Sequence, residues 1–373
     1  MKFSDIPGLS ETKKMLAGSV SNGHAAHAQL FAGAEGALNL PLALAYATYL
    51  HCEQKGEDAC GECAACRKSL KFIHPDTHFV FPLSNVKGDK DDERFKADIL
   101  KQWREFLLTQ PYGNLDNWTE FYGGENKQAL ISREESREII KTLSLKPFES
   151  QVKVMIIWQP EKMHPTAANG ILKILEEPAP HTYFILVSNA ADQLLPTIIS
   201  RTQIVTVPLL SDEEIETQLV ALNVNEKKAS VVSHQAEGNL NLALALCEDD
   251  EEDDQAQRFA EWMRACFKKN VAQLVSIADD FHGLDKLHQR GMLQYSLNMM
   301  REVLLQLGGA TTIQRSQGEE LKFVQDFSRV MNLARVEYAT RLINEAGYHL
   351  ERNGSAKMIF MDLSLKISKS LNS

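Results

Sequence analysis

Residues 28–40 read AQLFAGAEGALNL, and this stretch decides the fold. It opens with the short apolar run Ala28 to Phe31 and continues through a turn that carries Gly33 and Gly36. An apolar segment long enough for a helix follows from about Leu40. A strand, a glycine-bearing turn and a helix in this order are the setting of a phosphate-binding loop. The stretch therefore predicts an α/β domain built around such a loop.

The loop lacks the residues that bind nucleotide. A working loop has the pattern G-x-x-x-x-G-K-[ST], in which the lysine contacts the outer phosphates and the hydroxyl contacts magnesium. Gly33 and Gly36 are present, but Leu38, Asn39 and Leu40 stand where the second glycine, the lysine and the hydroxyl residue belong. Taken alone, the pattern also fits an ordinary strand-to-helix turn with two glycines. Either way, we expect no functional ATP site here.

Two later apolar runs extend the α/β pattern. VKVMIIW at 152–158 and YFILVS at 183–188 are short and rich in β-branched residues, as buried parallel strands are. Between them, 166–177 has apolar residues at helical spacing and is stopped by Pro178. A further helix is expected around Glu11 to Val20. Because strand and helix alternate, the sequence predicts an α/β fold with a parallel sheet.

The acidic residues of a nucleotide site are also reduced. In phosphate-loop enzymes an acidic residue near the end of a buried strand helps to hold magnesium. After the strand at 152–158 the sequence continues Gln159-Pro160-Glu161-Lys162, so only Glu161 is acidic and a proline precedes it. This second loss agrees with the first, and we expect no hydrolysis of ATP by this chain.

The rest of the chain divides by pattern. Between 76 and 130 a charged stretch is mixed with aromatic residues. We interpret it as an insertion whose aromatic side chains serve packing, and a docking surface for another protein is the alternative. A helix is expected from Arg133, and beyond Val207 long amphipathic helices follow, such as Leu284–Leu307 and Glu319–Glu351. The predicted organisation is an α/β domain at 1–207, a small helical domain at 208–247, an acidic linker at 248–255 and a helical domain at 256–373.

Four cysteines form a module at about 50–70. Cys52, Cys60, Cys63 and Cys66 have the spacing C-x7-C-x2-C-x2-C, which matches a structural zinc site with four thiolate ligands. Disulfides are disfavoured in a reducing cytosol. An iron–sulfur cluster and free thiols are the alternatives to zinc.

Composition and charge set the class of protein. The chain has 373 residues, 44% hydrophobic and 24% charged, and a formal net charge of −10. Seven consecutive acids, Glu248 to Asp254, supply most of that charge. An acidic chain is not expected to bind DNA by itself. No apolar run of about 18 residues and no signal-peptide core are visible, so we expect a cytoplasmic protein that does not enter a membrane.

Four stretches resemble the clamp-loader subunits of the AAA+ class. They are FSDIPG at 3–8, HAQLF at 27–31, ANGILKILEEP at 168–178 and LPTIISR at 195–201. The cysteine module after the loop helix has the same place in that family. Within the bacterial gamma, tau and delta-prime group of DNA polymerase III, a degenerate phosphate loop is typical of delta-prime. The resemblance implies an AAA+ α/β domain, a helical lid domain and a helical collar domain for oligomerisation.

The resemblance also implies a role for one arginine. In the family, the arginine of a Ser-Arg-Cys motif is an arginine finger, which reaches the ATP of the adjacent subunit and stabilises charge on the transferred phosphoryl group. Here the motif is Ser200-Arg201-Thr202, so the finger role passes to Arg201 with Ser200 beside it. The alternative is an ordinary surface or helix-capping arginine. The lid segment at 238–244 lacks the arginine that senses nucleotide in active relatives.

The function implied is that of a non-catalytic clamp-loader subunit, or stator, which helps to place the sliding clamp on primed DNA. Its expected partners are gamma- or tau-type and delta subunits in a heteropentameric ring, with clamp and DNA met through the complex. Zinc is the only cofactor expected. The chain would count among the DNA polymerase III subunits, although no paired-carboxylate site for polymerase chemistry is visible.

Two other functions stay open at this stage. One is a gamma-like active ATPase that binds nucleotide by an unusual route, and measurable hydrolysis by the isolated chain would favour it. The other is a zinc-containing nucleic-acid adaptor of repair or recombination. Tight, strongly salt-dependent DNA binding by the isolated chain would favour that reading.

Overall fold

Five parallel strands form the sheet of the computed structural model. They are β1 (Ala28–Ala32), β2 (Thr77–Val80), β3 (Lys153–Trp158), β4 (Thr182–Ser188) and β5 (Gln203–Thr206). Their order across the sheet is β2-β3-β4-β1-β5. The structure describes residues 1–84, 93–124, 129–132, 135, 139, 142, 146–248, 254–316, 318–352 and 354–372. The predicted α/β class with a parallel sheet is confirmed.

The three inner strands agree with the sequence prediction, and the two edge strands were missed. β3 and β4 are buried along nearly their whole length, which explains their continuous apolar sequences. β2 is only half-buried, and Gln203, Ile204 and Thr206 of β5 are exposed. Each edge strand has four residues and a mixed polar sequence, so neither produces a recognisable apolar run.

Helices flank the strands and continue into the following segment. They are α1 (Ser10–Ser21), α2 (Asn39–His51), α3 (Ala64–Ser69), α4 (Glu93–Thr109), α5 (Leu115–Phe121), α6 (Pro165–Glu176), α7 (Pro196–Ile199), α8 (Asp212–Ala221), α9 (Glu226–Ala236) and α10 (Leu240–Glu248). The predicted helices at 11–20, from Leu40 and at 166–177 correspond to α1, α2 and α6 within two residues. The helix predicted from Arg133 falls largely outside the described residues.

Aromatic side chains of the predicted insertion pack together. Trp103 of α4 and Trp118 of α5 are fully buried, with ring centroids 5.0 Å apart. Phe81 stacks on Trp103 at 4.3 Å, and Trp158 of β3 lies 5.1 Å from the same ring. These aromatics therefore extend the core beside β3, as the packing interpretation predicted.

A second compact unit follows the first. One unit comprises 1–229 with 236–241, and the other comprises 230–235 with 242–373. The helices of the second unit beyond the acidic run are α11 (Asp254–Lys268), α12 (Val271–Gly283), α13 (Lys286–Leu307), α14 (Gly318–Ser328), α15 (Leu333–Glu351) and α16 (Ala356–Leu371). Its core is aromatic and sulfur-rich, as the stacked pair Phe281 and Phe360 illustrates.

The prediction of one helix at Glu319–Glu351 was wrong. The chain forms α14 and α15 instead, because Asn332 caps the second helix by accepting a hydrogen bond from the backbone N–H of Arg335 at 2.9 Å. Most of the predicted acidic linker lies outside the described residues. The predicted boundaries at 207 and 247 stay predictions. Among the helices of the described ranges, none is both long and apolar enough to cross a membrane.

A buried polar cluster lies where β2 begins. The carboxylate of Asp76 accepts backbone hydrogen bonds from Phe148, Glu149 and Ser150 at 2.5, 2.8 and 2.8 Å. Burial opposes the charge, but these bonds hold the pKa of Asp76 below its ordinary value. One carboxylate thus ties the loop before β3 to the start of β2.

Burial and then the charge of Lys153 lower the pKa of His78 in β2 from 6.5 to about 4. Asp76 acts in the opposite direction, and His74 adds to the lowering. The unfolded chain therefore binds more protons than the folded chain between pH 6.5 and 4. Stability falls as the pH falls through this range.

We predict that His78→Gln loses less thermal stability than the wild type between pH 7 and 4.5, because the substitution removes a group that must stay neutral in the folded state. Melting followed by circular dichroism measures the difference. His24→Gln, at an exposed position, is the control and should behave as the wild type. Equal acid sensitivity of His78→Gln and wild type would contradict the assignment.

Candidate functional site

The phosphate loop connects β1 to α2, as predicted, but its polar contacts are made within the protein. Asn39 stands at the lysine position and is only 2% exposed. Its Nδ2 donates to the carbonyl oxygen of Ser188, at the end of β4, at 2.8 Å. Leu38 and Leu40 on either side are buried too. The side chain that would meet a phosphate is therefore a short, neutral amide bonded to a neighbouring strand.

Both glycines of the loop are required by close contacts. A Cβ added at Gly33 would lie 2.8 Å from the carbonyl oxygen of Val207. Gly36 has φ +88°, and a Cβ there would lie 2.5 Å from Cγ of Asn239. Asn239 thus packs directly against the loop. The sequence showed that 238–244 lacks an arginine, but no pattern indicated that Asn239 would cover the glycine turn.

Glu161 follows β3 and forms a hydrogen bond at the end of the sheet. Its Oε1 accepts the backbone N–H of Asn189 at 3.1 Å, and Nδ2 of Asn189 donates to the carbonyl of Ala34 in the loop at 3.2 Å. Oε2 of Glu161 is buried and has no hydrogen-bond partner among the described residues. The polar groups at this end of the sheet therefore hold the loop against β4.

Arg201 lies at the opposite end of the sheet. It precedes β5, whose first residue Gln203 pairs with Gln29 near the start of β1. The phosphate loop begins at Gly33, four residues further along the chain and just past the end of β1. Because a strand rises about 3.3 Å per residue, about 13 Å separates the two levels. Arg201 and the loop therefore lie at opposite ends of the strands of the same sheet.

The guanidinium of Arg201 has partners within the chain. Its Nε donates to Oε1 of Glu176 at 2.7 Å, and its Nη2 contacts the same oxygen. Nη1 donates to the carbonyl of Thr197 at 2.9 Å and to Oγ of Ser200 at 3.3 Å. The predicted pair Ser200 and Arg201 is thus in contact, while the contact with Glu176 is one that no pattern in the sequence predicts.

The four predicted cysteines come together. Their sulfur atoms all lie within 4.8 Å of one another, and those of Cys60 and Cys66 are 3.8 Å apart. Four sulfurs at 2.3 Å from a tetrahedral zinc would lie about 3.8 Å apart. Three backbone N–H groups, those of Cys60, Cys63 and Cys66, point at cluster sulfurs at 3.3 to 3.4 Å. The donor set and its spacing fit a zinc ion.

The thiols differ in their tendency to ionise. Backbone N–H groups of Cys63 and Glu62 lower the pKa of Cys60 to about 6, whereas burial raises the pKa of Cys66. Four thiolates this close repel one another unless a cation lies between them. Zinc would supply that charge, and Cys52, Cys60, Cys63 and Cys66 would hold it.

The cysteine module also holds the N-terminal segment. The carboxylate of Asp58 accepts the backbone N–H groups of Phe3 and Ser4 at 3.1 and 2.8 Å. Burial opposes ionisation, but the backbone bonds hold the pKa of Asp58 below its ordinary value. The cysteine module is therefore connected by hydrogen bonds to the first residues of the chain.

The sequence as a whole matches a known family. A family model described as "DNA polymerase III, delta subunit" matches residues 8–211, which is more than half of the chain. The chain belongs to this family of clamp-loader subunits. The match includes the phosphate loop, the cysteine module and Arg201, so the resemblance found in the motifs is confirmed.

Individual relatives agree with this family. The DNA polymerase III subunit delta' of Bacillus subtilis (strain 168) is 26% identical over 299 residues, covering 79% of this chain and 77% of the relative. The gamma subunit of Buchnera aphidicola subsp. Acyrthosiphon pisum is 24% identical and covers 66% and 58%. A gamma subunit-related protein of Thermotoga maritima has a TM-score of 0.40 at 14% identity, covering 98% of this chain and all of that one. The predicted AAA+ fold class is confirmed by the family and by the parallel sheet.

For this clamp-loader chain we predict that the wild type binds about one zinc ion per chain and that Cys63→Ser binds well below one, because three thiolates hold zinc more weakly than four. Elemental analysis of the purified protein measures it. Protease sensitivity near residues 50–70 should rise together with the loss. Cys247→Ser, outside the cluster, is the control, and unchanged zinc in Cys63→Ser would rule out the four-thiolate site.

Proposed function

We propose that this chain is a non-catalytic subunit of a clamp loader, which donates Arg201 to an ATP site on a neighbouring subunit. The observation that carries the proposal is the contrast between the two ends of one sheet. At one end Asn39 stands in the place of the phosphate-binding lysine and is bonded to Ser188. At the other end an arginine lies near the surface.

Topology supports action on another chain. Arg201 precedes the strand β5, so it lies at the sheet end away from its own phosphate loop. A guanidinium at that position cannot serve its own loop without refolding the domain. A phosphate that it meets must therefore belong to another molecule, as an arginine finger supplied in trans requires.

The proposal gives each part of the chain a place in an assembly. The neighbour that it requires is an active ATPase with an intact phosphate loop, of the gamma or tau type named among the relatives. A delta subunit, the sliding clamp and primed DNA complete the proposed setting. We also propose that the four-cysteine module binds structural zinc and that the helical second unit serves oligomerisation.

We predict that Arg201→Ala leaves the fold and the assembly intact and lowers DNA-stimulated ATP turnover at the completed site by about 10³-fold. The reason is that a finger stabilises the transition state more than bound ATP. The test is a loader reconstituted with gamma-type and delta partners, with assembly verified by size-exclusion chromatography. Arg201→Lys keeps the charge but loses the planar fork, so it should recover only part of the turnover. Unchanged turnover in a complete complex would refute the finger role.

We further predict that the isolated chain neither binds nor hydrolyses ATP at millimolar concentration, because Asn39 and Leu40 provide neither the lysine nor the metal-binding hydroxyl. Equilibrium binding of a fluorescent ATP analogue and a phosphate-release assay measure the two properties. An active gamma-type subunit is the positive control. Hydrolysis by the isolated chain would favour the alternative function, a gamma-like ATPase.

A further inference from the structure

We propose that Glu176 is a positioning residue for Arg201, and that it fixes the guanidinium before the neighbouring subunit arrives. This inference rests on the proposed role of Arg201 as a finger in trans. Glu176 is the last residue of α6, and Arg201 lies two residues beyond the end of α7. The two side chains meet between these helix ends, with Nε of Arg201 2.7 Å from Oε1 of Glu176.

The position of Glu176 is unfavourable for an acid without a partner. Backbone carbonyl groups give the C-terminal end of a helix a partial negative charge, so a carboxylate there is repelled. The guanidinium of Arg201 offsets this repulsion. An acidic residue at the end of α6 does not stabilise the helix. Its contact with Arg201 explains its presence more directly.

Arg201 is held along two sides of its planar group. Glu176 takes the edge formed by Nε and Nη2, and the carbonyl of Thr197 and Oγ of Ser200 take Nη1. Contacts on both sides fix the plane as well as the position of the group. A long arginine side chain loses rotamer entropy when it is fixed, and holding it in advance lowers the cost of forming the site.

The pair contributes little to the fold. The side chains of Arg201 and Glu176 are 30% and 48% exposed. Ion pairs this exposed to solvent contribute little to stability. The end of α6 has another attachment to the sheet, because Nε2 of His27 lies 2.9 Å from the carbonyl of Leu175. Loss of the carboxylate should therefore disturb the guanidinium and leave α6 in place.

Pairing on one edge is compatible with a finger. A guanidinium carries five N–H donors in a fixed fork. Glu176, Thr197 and Ser200 engage at most four of them, so one N–H of Nη2 is left for a phosphate. The carboxylate weakens the positive field at the phosphate, but it also determines where the group points. Because misplacement by about 1 Å can cost about 10²-fold in rate, we expect orientation to outweigh the loss of field.

The test is a reconstituted loader with gamma-type and delta partners, in which DNA-stimulated turnover is measured against ATP concentration. Glu176→Gln keeps the shape and removes the charge. We expect kcat at the completed site to fall at least about tenfold with KM for ATP unchanged, since the finger acts in the transition state.

Glu177→Gln makes the same charge change at the next exposed residue and should match the wild type. Glu176→Asp, which keeps the charge, should recover part of the turnover.

The double variant Arg201→Ala with Glu176→Gln separates positioning from a structural effect. If Glu176 acts only through Arg201, the double variant is no slower than Arg201→Ala alone. The proposal would be overturned if Glu176→Gln lowered turnover by the same factor in the Arg201→Ala background as in the wild type. Unchanged or faster turnover in the single variant Glu176→Gln would overturn it as well. If Arg201→Ala has no effect in a complete complex, the finger role itself fails and the positioning role fails with it. The two failures are therefore distinguishable.

Discussion

The hydrogen bond from Nδ2 of Asn39 to the carbonyl of Ser188 joins the start of α2 to the end of β4. In a working loop a lysine from this position meets the phosphates of the nucleotide. Asn39 directs its amide to the sheet, so the loop is stabilised by the protein itself. Two further contacts stabilise the loop. Nδ2 of Asn189 donates a hydrogen bond to the carbonyl of Ala34, and the side chain of Asn239 packs against Gly36. The loop therefore keeps the strand–turn–helix order of a phosphate loop, while the contacts described here are made within the protein.

Parallel strands make the two ends of the sheet chemically different. Loops that follow the strands gather at one end, where Gly33 and Glu161 lie, and segments that precede them gather at the other, where His27 and Arg201 lie. This separation follows from strand direction alone. An arginine just before β5 therefore faces away from its own loop, whatever side chains the loop carries.

The sequence predicted those parts of the fold that depend on continuous patterns. Inner strands such as β3 are apolar along their length, so they could be located within one or two residues. β2 and β5 could not, because four half-exposed residues at an edge show no clear periodicity. The break between α14 and α15 depends on Asn332, and a single capping residue within a long amphipathic pattern is easily read as a solvent-facing position.

The site divides in the same way. The proximity of the four cysteines could be predicted from their spacing, and a motif singled out Arg201 as a candidate. The contacts of Glu176 and Asn239 could not be predicted, because they join segments that are distant in sequence. This difference bears on how such a chain works. The loop end is held by a contact between α2 and β4, and Arg201 is held by contacts with α6 and α7, so the two ends share none of these hydrogen bonds. In the proposed function, such a subunit has no nucleotide site of its own and presents an oriented arginine to the site of its neighbour.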